Sequence, residues 1–145
     1  MKNILSMVSL AFLLVSATAS AHHSAAAYAG GPLQVTGTVT KWQWTNPHAF
    51  LWIDYEDADG NMVNGGFELG SPNTLIRNGF KKDTFLPGET ATIYGSLRKD
   101  GQPGGAIESV YVHKLCKWLQ WGPAADAADA NAAAAGIRND QSECE

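Results

Sequence analysis

The chain is poor in cysteine, in positive charge and in long apolar runs, and each shortage removes a class of function. Ten Lys and Arg stand against 14 Asp and Glu, for a net charge of −4 over 145 residues. Nothing in that balance neutralises a run of phosphates, which argues against a nucleic-acid partner. The one sustained apolar run, residues 4–15, falls short of the roughly 20 residues a spanning helix needs. Ser24, Ser71, Ser96 and Ser109 lack a Gly-x-Ser-x-Gly context, and no glycine-rich loop is present to cradle phosphate. Asp54, Glu56 and Glu68 fall on neighbouring predicted strands without forming an identifiable acid–base pair. An enzyme is therefore the minority reading.

The apolar run follows Met1-Lys2-Asn3 and ends in small residues, with Ala19-Ser20-Ala21 matching the A-x-A cleavage pattern of a secretory signal. Residues 1–21 are thus expected to be a signal peptide, His22 the first residue of the processed chain, and the location periplasmic or secreted. No later segment is long and apolar enough to span a membrane. In an oxidising compartment the two cysteines, Cys116 and Cys144, default to a disulfide. Closing that loop would stabilise by about 3–4 kcal/mol in the chain-entropy model. The alternative is a Cys144 that pairs with another molecule.

What the chain has is strand pattern. Residues 33–44 alternate, with Leu33, Val35, Gly37 and Val39 on one side and Thr36, Thr38, Thr40 and Trp42 on the other. Asn46-Pro47 interrupts, residues 49–55 resume, and Glu56-Asp57-Ala58-Asp59-Gly60-Asn61 turns the chain into a third strand over 62–69. A calcium loop of EF-hand type is a poor fit to that turn, because its glycine stands at position four and not six. Ser71 is a predicted N-cap and Pro72 the first residue of a short helix burying Leu75, Ile76 and Phe80 and ending at Gly79. Strands are predicted over 90–97 and 106–113. The fold class is therefore mainly β, a small five-stranded OB-like barrel with one short helix between strands 3 and 4; an irregular sandwich is the rival. The barrel domain is expected over residues 22–117, followed by an Ala-rich tail, 118–145, tethered by the disulfide.

Four histidines are present: His22, His23, His48 and His113. An N-terminal His22 offers its α-amine and ring as a chelate, and His48 adds a second imidazole. This three-nitrogen histidine brace suits Cu(II), with zinc as the alternative; His23 is a further candidate ligand. The bland account is a His-His pair that binds divalent metal weakly, with His48 a satisfied turn residue. His113, beside Lys114, reads as solvent-facing. Trp42, Trp44, Phe50 and Trp52 cluster in the first two strands, and the face of strands two and three is where OB barrels bind ligands. They offer a face for a small apolar ligand or a protein partner, or else seal the barrel.

These residues carry a family likeness. Ala21-His22-His23-Ser24, Thr36-Gly37-Thr38-Val39, Trp44-Thr45-Asn46-Pro47-His48-Ala49, Glu68-Leu69-Gly70-Ser71-Pro72-Asn73 and Leu86-Pro87-Gly88-Glu89 resemble the motifs of a family of short exported bacterial proteins of unknown function. The likeness covers residues 21–113 and implies an exported single domain in which His22, His23 and His48 are not accidental. Beyond His113 the chain departs from the family pattern. A looser similarity to small periplasmic OB-fold proteins, copper chaperones among them, rests on strand order alone. The combined expectation is an exported metal-binding module, most simply for copper, with a non-enzymatic ligand- or partner-binding module as the alternative.

Overall fold

A computed structural model describes residues 27–121. The elements run β1 (Pro32–Gln43), β2 (Phe50–Glu56), β3 (Met62–Glu68), α1 (Pro72–Arg77), β4 (Thr90–Leu97), β5 (Gly104–Val112), a 3-10 turn (His113–Leu115) and β6 (Lys117–Gln120). β1 sits between β2 and β4, antiparallel to both, with β3 beyond β2 and β5 beyond β4. β3 and β5 then pair in parallel, Gly66 opposite Gly104 and Glu68 opposite Ala106. That parallel seam closes five strands into the expected OB-like barrel, with the helix between the third and fourth.

The interior is filled by inward alternate residues: Val39, Leu51, Ile53, Phe67, Ile93, Ile107 and Val110 are all at most 2 % exposed. Each such side chain contributes about 1.5–3 kcal/mol by leaving water. α1 caps one end. The Ser71 hydroxyl accepts from Thr74 N–H, Pro72 occupies the first turn, and Leu75 points inward together with Phe80 and Phe85. Ile76, by contrast, is 59 % exposed. Consecutive helical residues lie about 100° apart, so with Leu75 turned into the core Ile76 stands on the solvent flank. Gly79 follows in the left-handed region at φ +86°, where a side chain would be strained.

Two features depart from the sequence pattern. β1 shifts register against β2 between Val39 and Lys41, a bulge that turns the strand's last residues over. And the chain after Cys116 forms β6. On one edge β5 pairs with β4. On its other edge the first residues pair with β3, and Ser109 through Val112 pair with β6. Leu119 is 4 % exposed within the core, so the sheet runs past the expected boundary at 117.

Candidate functional site

The β2–β3 hairpin builds the site. Its turn is held by the Asp57 carboxylate, which accepts from the backbone N–H of Asp59 and Asn61, both at 2.9 Å. Those bonds, the one from Asn61 foremost, keep the Asp57 carboxyl below its ordinary value; the segment is a hairpin turn, as expected. At the far end of the hairpin Phe50 pairs with Glu68. Ala49 N–H donates to Gly70 O at 3.1 Å and Leu69 N–H to Ala49 O at 2.9 Å. His48, which follows the cis Asn46–Pro47 bond, is thereby delivered beside Glu68.

Glu68 uses both of its oxygens. Oε1 meets the His48 Nδ1, and Oε2 accepts from the Tyr28 hydroxyl at 2.5 Å. The Glu68 side chain is 14 % exposed and that of His48 41 %. Tyr28 is pushed up to about 12, chiefly by burial and then by its bond to Glu68 and the nearby carboxylate charge. The backbone around Tyr28 is anchored to β4 and the β4–β5 loop: Ala27 O accepts from Lys99 N–H at 2.8 Å, and Gly30 N–H donates to Leu97 O at 3.0 Å. With its Nδ1 against a carboxylate, the His48 ring is oriented and its Nε2 is left turned away from Glu68. Metal-binding histidines are commonly oriented in this way.

His22 and His23 lie outside the described residues. Among the described residues, no group of three or more His, Cys, Asp and Glu side chains is placed to hold a metal ion. His113 is exposed at the end of β5. It shares a hydrogen bond with the Thr92 hydroxyl at 3.0 Å and meets Tyr111 edge-on with ring centroids 4.9 Å apart. Cys116 takes a left-handed conformation, φ 43°, before β6; its expected partner Cys144 lies outside the described residues.

The four aromatic residues divide between two sides of the wall. The bulge in β1 carries Trp42 off the threonine side of the strand and against the core, edge-on to Phe85 at 5.2 Å and beside Trp44 at 5.3 Å. The Trp42 indole N–H donates to Lys81 O at 3.2 Å. Phe50 and Trp52 alternate with buried Leu51 and Ile53 and so stand on the outer side, half-buried. The Trp52 ring lies over Gly66, close enough that a Cβ there would sit 2.9 Å from it. Its indole N–H is buried without a partner among the described residues. One continuous face of all four is therefore not formed, because the bulge reverses the side on which Trp42 falls.

Sequence reasoning missed three participants. In the sequence Glu68 reads only as one of several strand carboxylates, and Tyr28 stands in a small-residue stretch without a motif of its own. Trp121 proves to bond Ile107 O through its indole N–H at 2.6 Å and to lie against Gly70. The signal for Glu68 was available: a hairpin centred on its turn sets residues just before β2 beside those ending β3.

The fold and site together define an OB-like barrel carrying a carboxylate-oriented histidine at the edge of its β2–β3 face. The chain belongs to a family of unknown function, DUF6152, whose model matches residues 11–108. No curated protein matches its sequence. Among solved structures, it is similar to TiaS in its complex with a tRNA and ATP, with a TM-score of 0.41 and 21 % identity over 55 % of this chain and 17 % of that one. The ZRD-deleted mutant of TiaS with agmatine gives a TM-score of 0.39 and 22 % identity over 56 % and 21 %. The S. pombe Stn1–Ten1 complex gives 0.39 and 14 % identity over 55 % of each chain. The chain thus spans about a fifth of the TiaS chains and about half of the third. No helix among the described residues is long and apolar enough to cross a membrane.

Proposed function

We propose that the chain is an exported, periplasmic or secreted, metal-binding module that takes Cu(II), with Zn(II) as the alternative, through His22 and His48. His22 supplies its α-amine and ring, His48 its Nε2, and His23 is available as a further ligand. The observation that carries this reading is the double use of Glu68. One oxygen orients His48, and the other holds Tyr28, six residues after His22. Six residues span at most about 20 Å, so the anchored Tyr28 keeps the start of the processed chain within reach of His48. The donor set is nitrogen-rich and thiolate-free, which suits copper ahead of the harder cations.

The test is calorimetric titration of Cu(II) and Zn(II) into chain whose N-terminal His22 is verified by intact mass, beside chain carrying one extra residue before His22. Stoichiometric binding at about nanomolar Kd, lost in the extended chain, is the expected result. Equal affinity in the two forms rules out the brace.

A second reading has its own observation. The Trp52 indole N–H is buried and unpartnered on the outer side beside half-exposed Phe50, where a partner or ligand supplying an acceptor would pair with it. Trp52→Ala would then weaken an interaction without changing metal affinity.

A further inference from the structure

The two ends of the barrel are finished differently. At the α1 end the inward residues Leu69, Leu75, Phe80 and Phe85 are at most 2 % exposed. At the opposite end no element among the described residues covers the opening, and Val35, Val63 and Leu97 stay only half-buried although they pack against the same core. The opening leads into a cavity of about 710 Å³ walled by these residues with Leu33 and Tyr55. That volume lies within the roughly 300–1,000 Å³ of small-molecule sites, which occur preferentially at such places as the mouths of β-barrels.

Tyr55 gives the cavity its polar contact. The residue is 6 % exposed, and its hydroxyl accepts from Gly104 N–H at 3.2 Å. Its own proton has no acceptor among the described residues, so it must go to water or to a ligand in the cavity. The ring is fixed in place. A Cβ at Gly65 would lie 2.7 Å from it, and the Phe67 ring packs against it at 5.6 Å. A hydroxyl with a proton to give, on a residue that lines the cavity beside Leu33, Val35, Val63 and Leu97, selects a molecule with an apolar body and one acceptor oxygen.

The rim decides the ligand's charge. Glu56, Asp57 and Asp59 stand on the hairpin side, and Arg98 and Lys99 on the β4–β5 side. Arg98 is held in a two-bond pair by Asp100, at 2.9 and 2.5 Å. With Arg98 paired, the lining holds three carboxylates against the one remaining cation, Lys99, so the entrance disfavours anions. We infer that the open mouth of the barrel is a binding site for a small neutral molecule, largely apolar and bearing a carbonyl-type oxygen that accepts from the Tyr55 hydroxyl. This site is separate from His48 and does not depend on metal binding.

Acetophenone, ethylbenzene and benzoate are suitable probes, since they share a ring and differ in the oxygen and its charge. They are titrated into the full chain, following the methyl resonances of Val35, Val63 and Leu97 by NMR. Acetophenone should shift these resonances saturably. Ethylbenzene, which lacks the acceptor, should bind about two- to tenfold more weakly, the net worth of one hydrogen bond, and benzoate should also bind more weakly than acetophenone. Tyr55→Phe should abolish the preference for acetophenone over ethylbenzene while leaving ethylbenzene bound. Val63→Phe, which fills the mouth and leaves the hydroxyl in place, should weaken both. Absence of saturable shifts, a preference that survives Tyr55→Phe, or benzoate as the tightest probe each overturns the inference. If Tyr55→Phe loses its dispersed spectrum, the acetophenone preference in the native chain and the weaker binding of both probes by Val63→Phe decide the matter.

Discussion

Glu68 and His48 come from opposite ends of one hairpin and meet because the ladder between β2 and β3 runs without a slip from Glu56–Met62 to Phe50–Glu68. A carboxylate so placed both orients the ring and makes its Nε2 a better ligand. Glu68→Gln keeps the shape and removes the charge. It should lower Cu(II) affinity about 10- to 100-fold while circular dichroism stays native. Unchanged affinity in the titration would show that Glu68 does not act through His48.

Tyr28 makes the same carboxylate sensitive to high pH. The folded chain raises this phenol from 10.0 to about 12, so it holds the proton more tightly than the unfolded chain does. Its contribution is whole below the ordinary value of 10.0 and is lost as pH rises through about 12. The stability difference between the native chain and Tyr28→Phe, measured by denaturant unfolding, should shrink across that interval. A constant difference would show that the hydroxyl is not coupled to Glu68.

Two glycines in neighbouring parts of the β4–β5 hairpin should respond differently to alanine. A Cβ at Gly95 would sit 1.9 Å from Ala106 O, which is backbone and cannot give way. At Gly101, φ +71°, there is nothing within 4 Å. Gly95→Ala should cost about 3 kcal/mol or more through forced separation of the strands. Gly101→Ala should cost only the left-handed penalty of about 1–2 kcal/mol. Chemical denaturation of both variants checks the order, and similar losses would contradict the close approach at Gly95.

If β6 belongs to the barrel, its one buried residue should matter. Leu119→Ala is expected to destabilise by about 2–5 kcal/mol. Leu115→Ala, four residues earlier and 54 % exposed, should change stability by no more than about 0.5 kcal/mol. Thermal unfolding of the pair would reveal a dispensable β6 as two equally small shifts.

The strand order and the helix were legible because each element carries its own local signal: alternation in β1, the Asp59-Gly60 turn, and Ser71-Pro72 at the helix start. What was not legible came from register. A bulge is one extra residue with no composition of its own, so the alternation of residues 33–44 put Trp42 on the wrong side. β6 has only four residues, Lys117–Gln120, too few for a periodic pattern to emerge from its aromatic surroundings. Ile76 reads as buried because an apolar residue beside Leu75 looks like core, and only the helix's orientation on the barrel shows that it faces solvent. Of the candidate site, His48 was visible as a lone ligand-type residue in a turn. Glu68 became its partner only when the hairpin was paired through residue by residue, and Tyr28 only when the chain was folded back across β5.

The parallel seam has a consequence for how the protein behaves in company. A Cβ at Gly104 would sit 2.2 Å from Gly66 O, so β3 and β5 meet only because side chains are missing there. A side chain at Gly104 would hold the two strands apart and leave each with a row of unsatisfied backbone donors and acceptors, the template on which other copies add strands. Damage at this position should therefore show first as concentration-dependent self-association. The seam closes because of an atom that glycine does not have.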